Sequence, residues 1–399
     1  MKEKTLTFLT ASLLLTTCVV NADVFNMPVD QKSLELLHIG NLGNIADNMG
    51  FGAVAHEYDI GKYEVTSAQY TQFLNAVASM GDPYGLYNPT MVTMAGGCKI
   101  QQVSLPEGGY SYRVQPEYAN KPANCLTWDS AARFCNWLHN GQPAGPVGPG
   151  TTENGAYNVY NINWEDIWSL TRGVNAKYAI ATIDEWVKTA YHKNDGLTGN
   201  YWNYPTSSRV IPTAEAPPGG TNSANYVWTT LKTTTSVGSY INTTSPYGAY
   251  DMGGNVWEWT ETPFPATGKK GIRGGCFGNG STELWRLSNF SEYIQNSSDA
   301  IGFRIVKLAG IEDGDANNDG LVNIGDLGVL AGNWGGGPGM TWFQGDFTYD
   351  GMVNVSDLGI LAGKWGWSKG AGGLAIPEPA TIGLLALGGL ALFRRSRKE

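Results

Sequence analysis

Three groups of residues in this chain have the types and spacing to do chemistry. The first lies in residues 247–277, YGAYDMGGNVWEWTETPFPATGKKGIRGGCF, where Asp251 and Glu258 bracket Gly253 and Gly254. A glycine pair lets the backbone wrap tightly, and a tight wrap between two carboxylates turns carbonyl oxygens inward, the environment a hard cation such as calcium needs. Trp257 and Trp259 are two apart, so an extended strand puts them on one face and Glu258 on the other. The second group is a repeat: GDANNDGLVNIGDLGVLAGNWG at 314–335 and GDFTYDGMVNVSDLGILAGKWG at 345–366. Each copy has oxygen ligands at loop positions 1, 3, 5, 7 and 12 and glycine at 6, the pattern of a calcium loop. In the first copy these are Asp315, Asn317, Asp319, the carbonyl of Leu321 and Asp326, with Gly320 at the turn. In the second they are Asp346, Thr348, Asp350, the carbonyl of Met352 and Asp357, with Gly351. Asn323 and Asn354 hold position 9, where a water often mediates. Two copies in register favour calcium over an acidic surface loop.

The third group is sulfur and imidazole. Beyond the first 22 residues the cysteines are Cys98, Cys125, Cys135 and Cys276, which allow three disulfide pairings that sequence does not distinguish. His38, His56, His139 and His192 are dispersed, with no H-x-x-x-H pair to suggest a metal site. There is no G-x-S-x-G elbow, phosphate loop or dinucleotide fingerprint. Asp184, Glu185 and Glu258 lack a specific acid–base partner, so capping or cation roles suit them better.

The elements that position these groups are short. Residues 63–78 read as a strand running into a helix, with Thr66 or Ser67 as N-cap and Tyr70, Phe73, Leu74 and Val77 at helical spacing. Residues 128–138 form a second helix with Ala131, Phe134, Cys135 and Leu138 on one face and Asp129 near its positive end. Residues 183–191 form a third. Residues 81–115 and 198–237 are turn-rich and read as irregular. Helices of about two turns should follow the repeat loops, from Asp326 and Asp357. Glycine supplies 53 of 399 residues and only 15% are charged, which favours a loop-rich globular chain. A net charge of −9 with scattered Lys and Arg argues against a nucleic-acid surface.

Both ends read as sorting segments. Residues 1–22 have Lys2 and Lys4, an apolar stretch and a small-residue Val20-Asn21-Ala22 site, the pattern of a secretory signal. A lipoprotein reading through Cys18 is the alternative. Export permits disulfides. After a linker at 368–375, residues 376–399 carry Pro377-Glu378-Pro379, an apolar run and a basic end. That run is short of the ~20 residues of a comfortable membrane span, which suits a temporary anchor.

Several of these segments carry family resemblances. GAYDMGGNVWEWT with IRGG resembles the signature of the formylglycine-generating-enzyme (sulfatase-modifying factor) family. IGKYEVTSAQYTQFLNAV, NKPANCLTWDSAARFCNWL, AIATIDEWVKTAYH and the closing IGFRIV resemble its other segments, in order over residues 40–307. The resemblance implies a structural calcium held by Asp251, the carbonyls of Gly254 and Val256, and Glu258. It also places two copper thiolates four residues after the last glycine of RGG and five further on. Here those positions are Asn279 and Leu284, so copper is not expected, and Cys276 stands alone as a candidate catalytic thiol. Asn225 could belong to a second family calcium site, but its acidic partner is missing. The repeat pair resembles a dockerin, which implies a cohesin-like partner, although Ile324-Gly325 and Val355-Ser356 depart from the usual Ser-Thr-type recognition pair. The tail resembles a PEP-CTERM sorting signal, which implies an exosortase-type processing enzyme and brief membrane anchoring before release to the cell surface or beyond.

Together these readings define an α+β fold. A loop-rich, C-type-lectin-like domain at 38–308 precedes a small all-α dockerin-like module at 311–367 and a C-terminal transmembrane helix. The expected function is binding or assembly at the surface, with an unknown protein or glycan ligand. The alternative is an oxidoreductase acting on protein cysteine.

Overall fold

The computed structural model describes residue 25 and residues 27–368, apart from 164, 174, 229, 265–266, 287–290, 293–297, 309–313, 318–319, 338–339, 341–343 and 349–351. The expected signal segment and C-terminal anchor lie outside the described residues. Among the described residues, no helix is long and apolar enough to cross a membrane.

Helix α1 (Ser67–Val77) starts where a side chain takes over from the backbone. The Thr66 hydroxyl accepts from the Gln69 amide at 3.3 Å and Gln69 returns the bond to Thr66 N–H at 3.0 Å, which satisfies two otherwise orphaned donors. A short helix, α2 (Thr90–Thr93), follows. Helix α3 (Trp128–His139) is capped by Thr127, and α4 (Ile183–Tyr191) by a reciprocal Thr182–Glu185 box. The apolar positions named from helical spacing are all buried: Tyr70, Phe73, Leu74 and Val77 on α1, and Ala131, Phe134, Cys135 and Leu138 on α3. Their rings interlock. Phe134 meets Phe73 edge-on at 5.4 Å and Phe303 edge-on at 5.4 Å, offset geometries that aromatic quadrupoles favour.

Two four-stranded sheets frame this core. The first runs β1 (Leu36–Ile39), β2 (Tyr58–Gly61), β12 (Ile305–Leu308), β5 (Tyr178–Ile180), with antiparallel neighbours throughout. The second runs β10 (Ser291–Glu292), β9 (Lys270–Arg273), β8 (Trp257–Pro263), β11 (Ile301–Gly302), with β11 parallel to β8. The segment read as one closing strand is therefore two. Phe303 and Arg304 carry the chain from the second sheet to the first, and both are fully buried. Residues 100–114, read as irregular, instead form a hairpin of β3 (Ile100–Ser104) and β4 (Tyr110–Val114). Polar Gln101 and Gln102 mask the alternation there. Residues 198–237 are nearly as irregular as read, with one pairing of β6 (Thr213–Ala214) and β7 (Ser223–Ala224).

The C-terminal unit carries two helices, α5 (Ile324–Gly332) and α6 (Val355–Gly363). Both start two residues earlier than expected, because Asn323 and Asn354 act as N-caps and Asp326 and Asp357 close the capping boxes. Its core pairs equivalent residues of the two copies: Ala316 with Phe347, Val322 with Val353, Leu330 with Leu361. The copies also exchange backbone bonds. Val322 N–H donates to Trp367 at 2.9 Å and Val353 N–H to Gly336 at 3.1 Å. A Cβ on Gly345 would sit 2.9 Å from Leu330 Cα, and one on Gly314 3.3 Å from Leu361 Cα, so each copy's leading glycine is wedged against the other's helix.

Candidate functional site

Strand β8 delivers the central carboxylate. Glu258 is buried, and Arg304 grips it with two bonds, Nε to Oε2 at 2.7 Å and Nη2 to Oε1 at 2.8 Å. Trp186 of α4 adds an indole N–H to Oε2 at 2.8 Å. The same guanidinium reaches the carbonyls of Gly61 (2.8 Å) and Tyr250 (2.9 Å), so the ion pair ties together both sheets and the glycine turn. Such a fork is the strongest form of a carboxylate–cation pair.

The turn before β8 is held open by backbone shape. Asp251, Gly254 and Asn255 all have positive φ, and a Cβ on Gly254 would lie 2.3 Å from the carbonyl oxygen of Asn225. Asn255 sits at the centre of a buried polar net. Its Nδ2 donates to Glu64 Oε1 at 2.9 Å, and its Oδ1 accepts from Thr235 N–H at 2.9 Å. Glu64 is buried, and its Oε2 has no hydrogen-bond partner among the described residues. Burial, then the charge of Asp251, pushes the Glu64 carboxyl well above the ordinary range. Burial also raises half-buried Asp251 to about 6, although its Oδ2 accepts from Gly238 N–H at 2.6 Å. Three neighbouring carboxylates thus face one cation, Arg304. The surplus of two negative charges is balanced by protons or by a divalent ion.

That surplus and the orphaned Glu64 oxygen fit the chemistry of a calcium site. Glu258 is at the same time the counter-ion of Arg304. Among the described residues no three His, Cys, Asp or Glu side chains form a metal-sized group. A cation here would draw on Asp251, on the remaining capacity of Glu258 and on the backbone carbonyls of Gly254 and Val256.

Cys276 lies beyond β9. Its thiol donates to Asn279 Oδ1 at 2.9 Å and its amide donates to the same oxygen at 3.1 Å. Burial pushes this thiol up to about 11, so it is no resting thiolate at neutral pH. Asn279 is tied down in turn, since its carbonyl accepts from Val227 N–H at 2.7 Å. Leu284 is fully buried in a small cluster with Tyr204, Ala224 and Tyr226. Beside them Trp228 stacks near Phe277, with ring centroids 5.5 Å apart, and remains 48% exposed. All four described cysteines are free thiols and buried, so none of the disulfide pairings is formed. The histidines do not converge. His56 meets Glu185 at 2.7 Å, His192 meets Tyr247 at 2.7 Å, His38 meets Asp59 at 3.1 Å, and His139 accepts from Lys177 N–H at 3.1 Å. Glu185 caps α4 and pairs with Arg172 at 2.9 Å, while Asp184 accepts from Gly52 N–H at 2.8 Å; neither stands free as an acid or base.

In the repeat loops, Asp315, Asp326, Asp346 and Asp357 are all buried. Asp326 accepts from Asn323 N–H at 2.8 Å and Asn317 N–H at 3.2 Å, and Asp357 accepts from Asn354 N–H at 2.8 Å and Thr348 N–H at 2.9 Å. Asp315 accepts from Gly320 N–H at 2.9 Å. Leu321 and Met352 hold equivalent exposed positions. Asp319 and Asp350 lie outside the described residues.

A profile for the sulfatase-modifying factor enzyme 1-like domain matches residues 51–309. The chain belongs to the sulfatase-modifying factor family. A second profile, for the PEP-CTERM protein-sorting motif, matches residues 375–398. Two relatives are each named inactive C-alpha-formylglycine-generating enzyme 2. The Bos taurus protein is 27% identical over 223 residues, covering 51% of this chain and 67% of that one. The Mus musculus protein is 26% identical over 185 residues, covering 42% and 54%. Solved structures with a similar fold include Treponema denticola variable protein 1 (18% identity, TM-score 0.41, 71% of this chain and 98% of that one). Another is PvdO from Pseudomonas aeruginosa (15%, TM-score 0.35, 70% and 96%). Within the sulfatase-modifying factor domain, the two positions assigned to copper thiolates by resemblance are Asn279, bonded to Cys276, and Leu284, packed in apolar surroundings. The features sequence reading missed are Glu64 and Arg304. Each is a charge inside an apolar run, YEV and GFRIV, and that placement is the signal that could have found them.

Proposed function

We propose that this is an exported, calcium-binding surface or matrix protein whose sulfatase-modifying-factor domain binds a peptide or glycan and does not oxidise cysteine. The observation that carries the reading is the pair Asn279 and Leu284. An amide and a buried isobutyl group replace two soft thiolates, and neither selects Cu(I). The neighbouring Cys276 is protonated at neutral pH, and one thiol does not replace two. Relatives named as inactive enzymes support the same direction. The exposed Trp228 over Phe277 offers an aromatic contact face beside the lost centre. The sorting motif supports export and exosortase-type processing. Calcium at the glycine turn and in the repeat loops is supported by the carboxylate surplus and by four buried loop aspartates. The repeat pair then acts as a dockerin-like attachment point for a cohesin-like partner.

The deciding experiment incubates the purified protein with a cysteine-containing sulfatase peptide, copper and oxygen, and follows the peptide by mass spectrometry. No aldehyde product is expected. Turnover to the aldehyde would overturn the reading in favour of the oxidoreductase.

A further inference from the structure

Three Asn-Gly steps occur in the chain, at Asn140, Asn154 and Asn279. In such a step the glycine nitrogen can attack the side-chain amide carbon, because no Cβ hinders the close approach. The three sites differ in what surrounds the amide. The Asn279 oxygen accepts from the Cys276 N–H at 3.1 Å and from the Cys276 thiol at 2.9 Å. A backbone N–H can only donate, so the oxygen end of the amide faces this pair. Glu283 flanks the nucleophile. Its Oε2 lies 3.6 Å from the position a Gly280 Cβ would take and accepts from the Thr282 hydroxyl at 2.8 Å. Gly280 is exposed, and among the described residues its N–H makes no hydrogen bond. We propose that Asn279 is a self-modifying site, which the chain converts through a cyclic imide to aspartate and isoaspartate.

The geometry supplies each part of that reaction. As the Gly280 nitrogen bonds to the Asn279 amide carbon, negative charge develops on the amide oxygen. Two donors already aimed at that oxygen stabilise it. The Cys276 thiol can serve because burial pushes it up to about 11 and keeps its proton in place. The Gly280 nitrogen gives its proton to Glu283, directly or through one water. The bond from the amide carbon to the side-chain nitrogen then breaks, and that nitrogen takes up the proton and leaves as ammonia. Water opens the ring at either carbonyl. One opening gives aspartate; the other gives isoaspartate, with the backbone routed through the side-chain carbon. No oxidant or cofactor is consumed.

The other two steps lack these parts. Asn140 uses its amide as a donor, with Nδ2 bonded to the carbonyls of Thr151 (3.0 Å) and Asn154 (2.8 Å). Its nucleophile is also tied, since Gly141 N–H donates to Leu138 at 3.1 Å. At Asn154 the following glycine is wedged against α3, where a Cβ on Gly155 would lie 3.2 Å from Asn136 Cα. The conversion would alter the aromatic face. The Asn279 carbonyl accepts from Val227 N–H at 2.7 Å, and a Cβ on Gly278 would sit 3.4 Å from Trp228 Cε3. A carboxylate and an extra backbone carbon at 279 add charge and shift the seat of Trp228. Only this consequence rests on the binding role given above; the conversion does not, and the copper–oxygen peptide assay does not report it.

The test incubates the full chain at neutral pH and maps its peptides by mass spectrometry against time. Asn279 should convert while Asn140 and Asn154 stay intact. Isoaspartate should accompany aspartate, the mark of a ring intermediate, and heavy-oxygen water should label both. Unfolding the chain in urea should slow Asn279 to the pace of the other two sites. Cys276→Ala should slow the folded protein roughly tenfold, about the worth of one hydrogen bond to a developing charge. Cys276→Ser restores a donor and should recover the rate. Glu283→Gln should slow conversion by at least about tenfold, and an unchanged melting temperature in that variant separates loss of the base from misfolding. An intact Asn279, equal rates at the three sites, or faster conversion on unfolding would overturn the assignment. So would a full rate in both Cys276→Ala and Glu283→Gln.

Discussion

Replacing Arg304 by methionine removes the guanidinium that grips Glu258 while keeping most of the buried volume. The wild-type side chain makes two bonds to that carboxylate and two to the carbonyls of Gly61 and Tyr250. Glu258 would be left charged in a dry site beside Glu64 and Asp251. Breaking one partner of a buried pair costs ~3–5 kcal/mol. For a domain of this size each kcal/mol moves the melting point by about 2–4 °C, so a fall of roughly 10 °C is expected. Arg304→Lys keeps the charge but loses the planar fork, and should fall in between. The assay is thermal unfolding followed by tryptophan fluorescence, in chelator, at pH 7.5 and pH 5. At pH 5 the carboxyl of Asp251, raised to about 6, already holds a proton in the folded state, and burial pushes Glu64 in the same direction. The penalty at Arg304→Met should therefore shrink on acidification. A loss below ~1 kcal/mol, the scale of an exposed pair, would refute the argument. So would a penalty that does not change with pH.

Three further outcomes follow. Asp251 has its carboxyl raised to about 6, so the folded state holds a proton that the unfolded state releases near 4. Its contribution is full at pH below the unfolded value and is lost as pH rises through 6, with a ceiling of about 3 kcal/mol in chelator; calcium should restore stability above pH 6, and a flat chelated profile between pH 4 and 7 counts against the surplus-charge reading. Asp326→Asn and Asp357→Asn should each remove one calcium equivalent by calorimetry, and together remove two; unchanged stoichiometry in the double variant would end the repeat-loop proposal. Thr182→Ala deletes the hydroxyl that caps α4 and should cost ~1 kcal/mol by denaturant titration.

Helices α1, α3 and α4 were legible because one period and one cap determine them, whereas the single-turn α2 lies in a segment read as irregular. Thr66, Thr127 and Thr182 each precede a helix whose apolar residues recur at helical spacing, and all three serve as caps. The β3–β4 hairpin was not legible, because its strands pack half-exposed and carry polar residues on both faces. Glu258 was singled out as a carboxylate beside the glycine pair, but its ion-pair partner lies 46 residues away at Arg304. No local pattern encodes a contact of that separation. The orphaned oxygen of Glu64 was likewise invisible, since a buried charge is recognised by what surrounds it in space.

The exchanged bonds of the C-terminal unit have a consequence for how it fails. Each copy's helix forms the wall against which the other copy's leading glycine is seated, and each valine closes on backbone supplied by its twin. A single copy would therefore present an open seam along its length. The two halves brace each other, and a side chain inserted at Gly345 would press on the helix of the first copy as well as on its own loop.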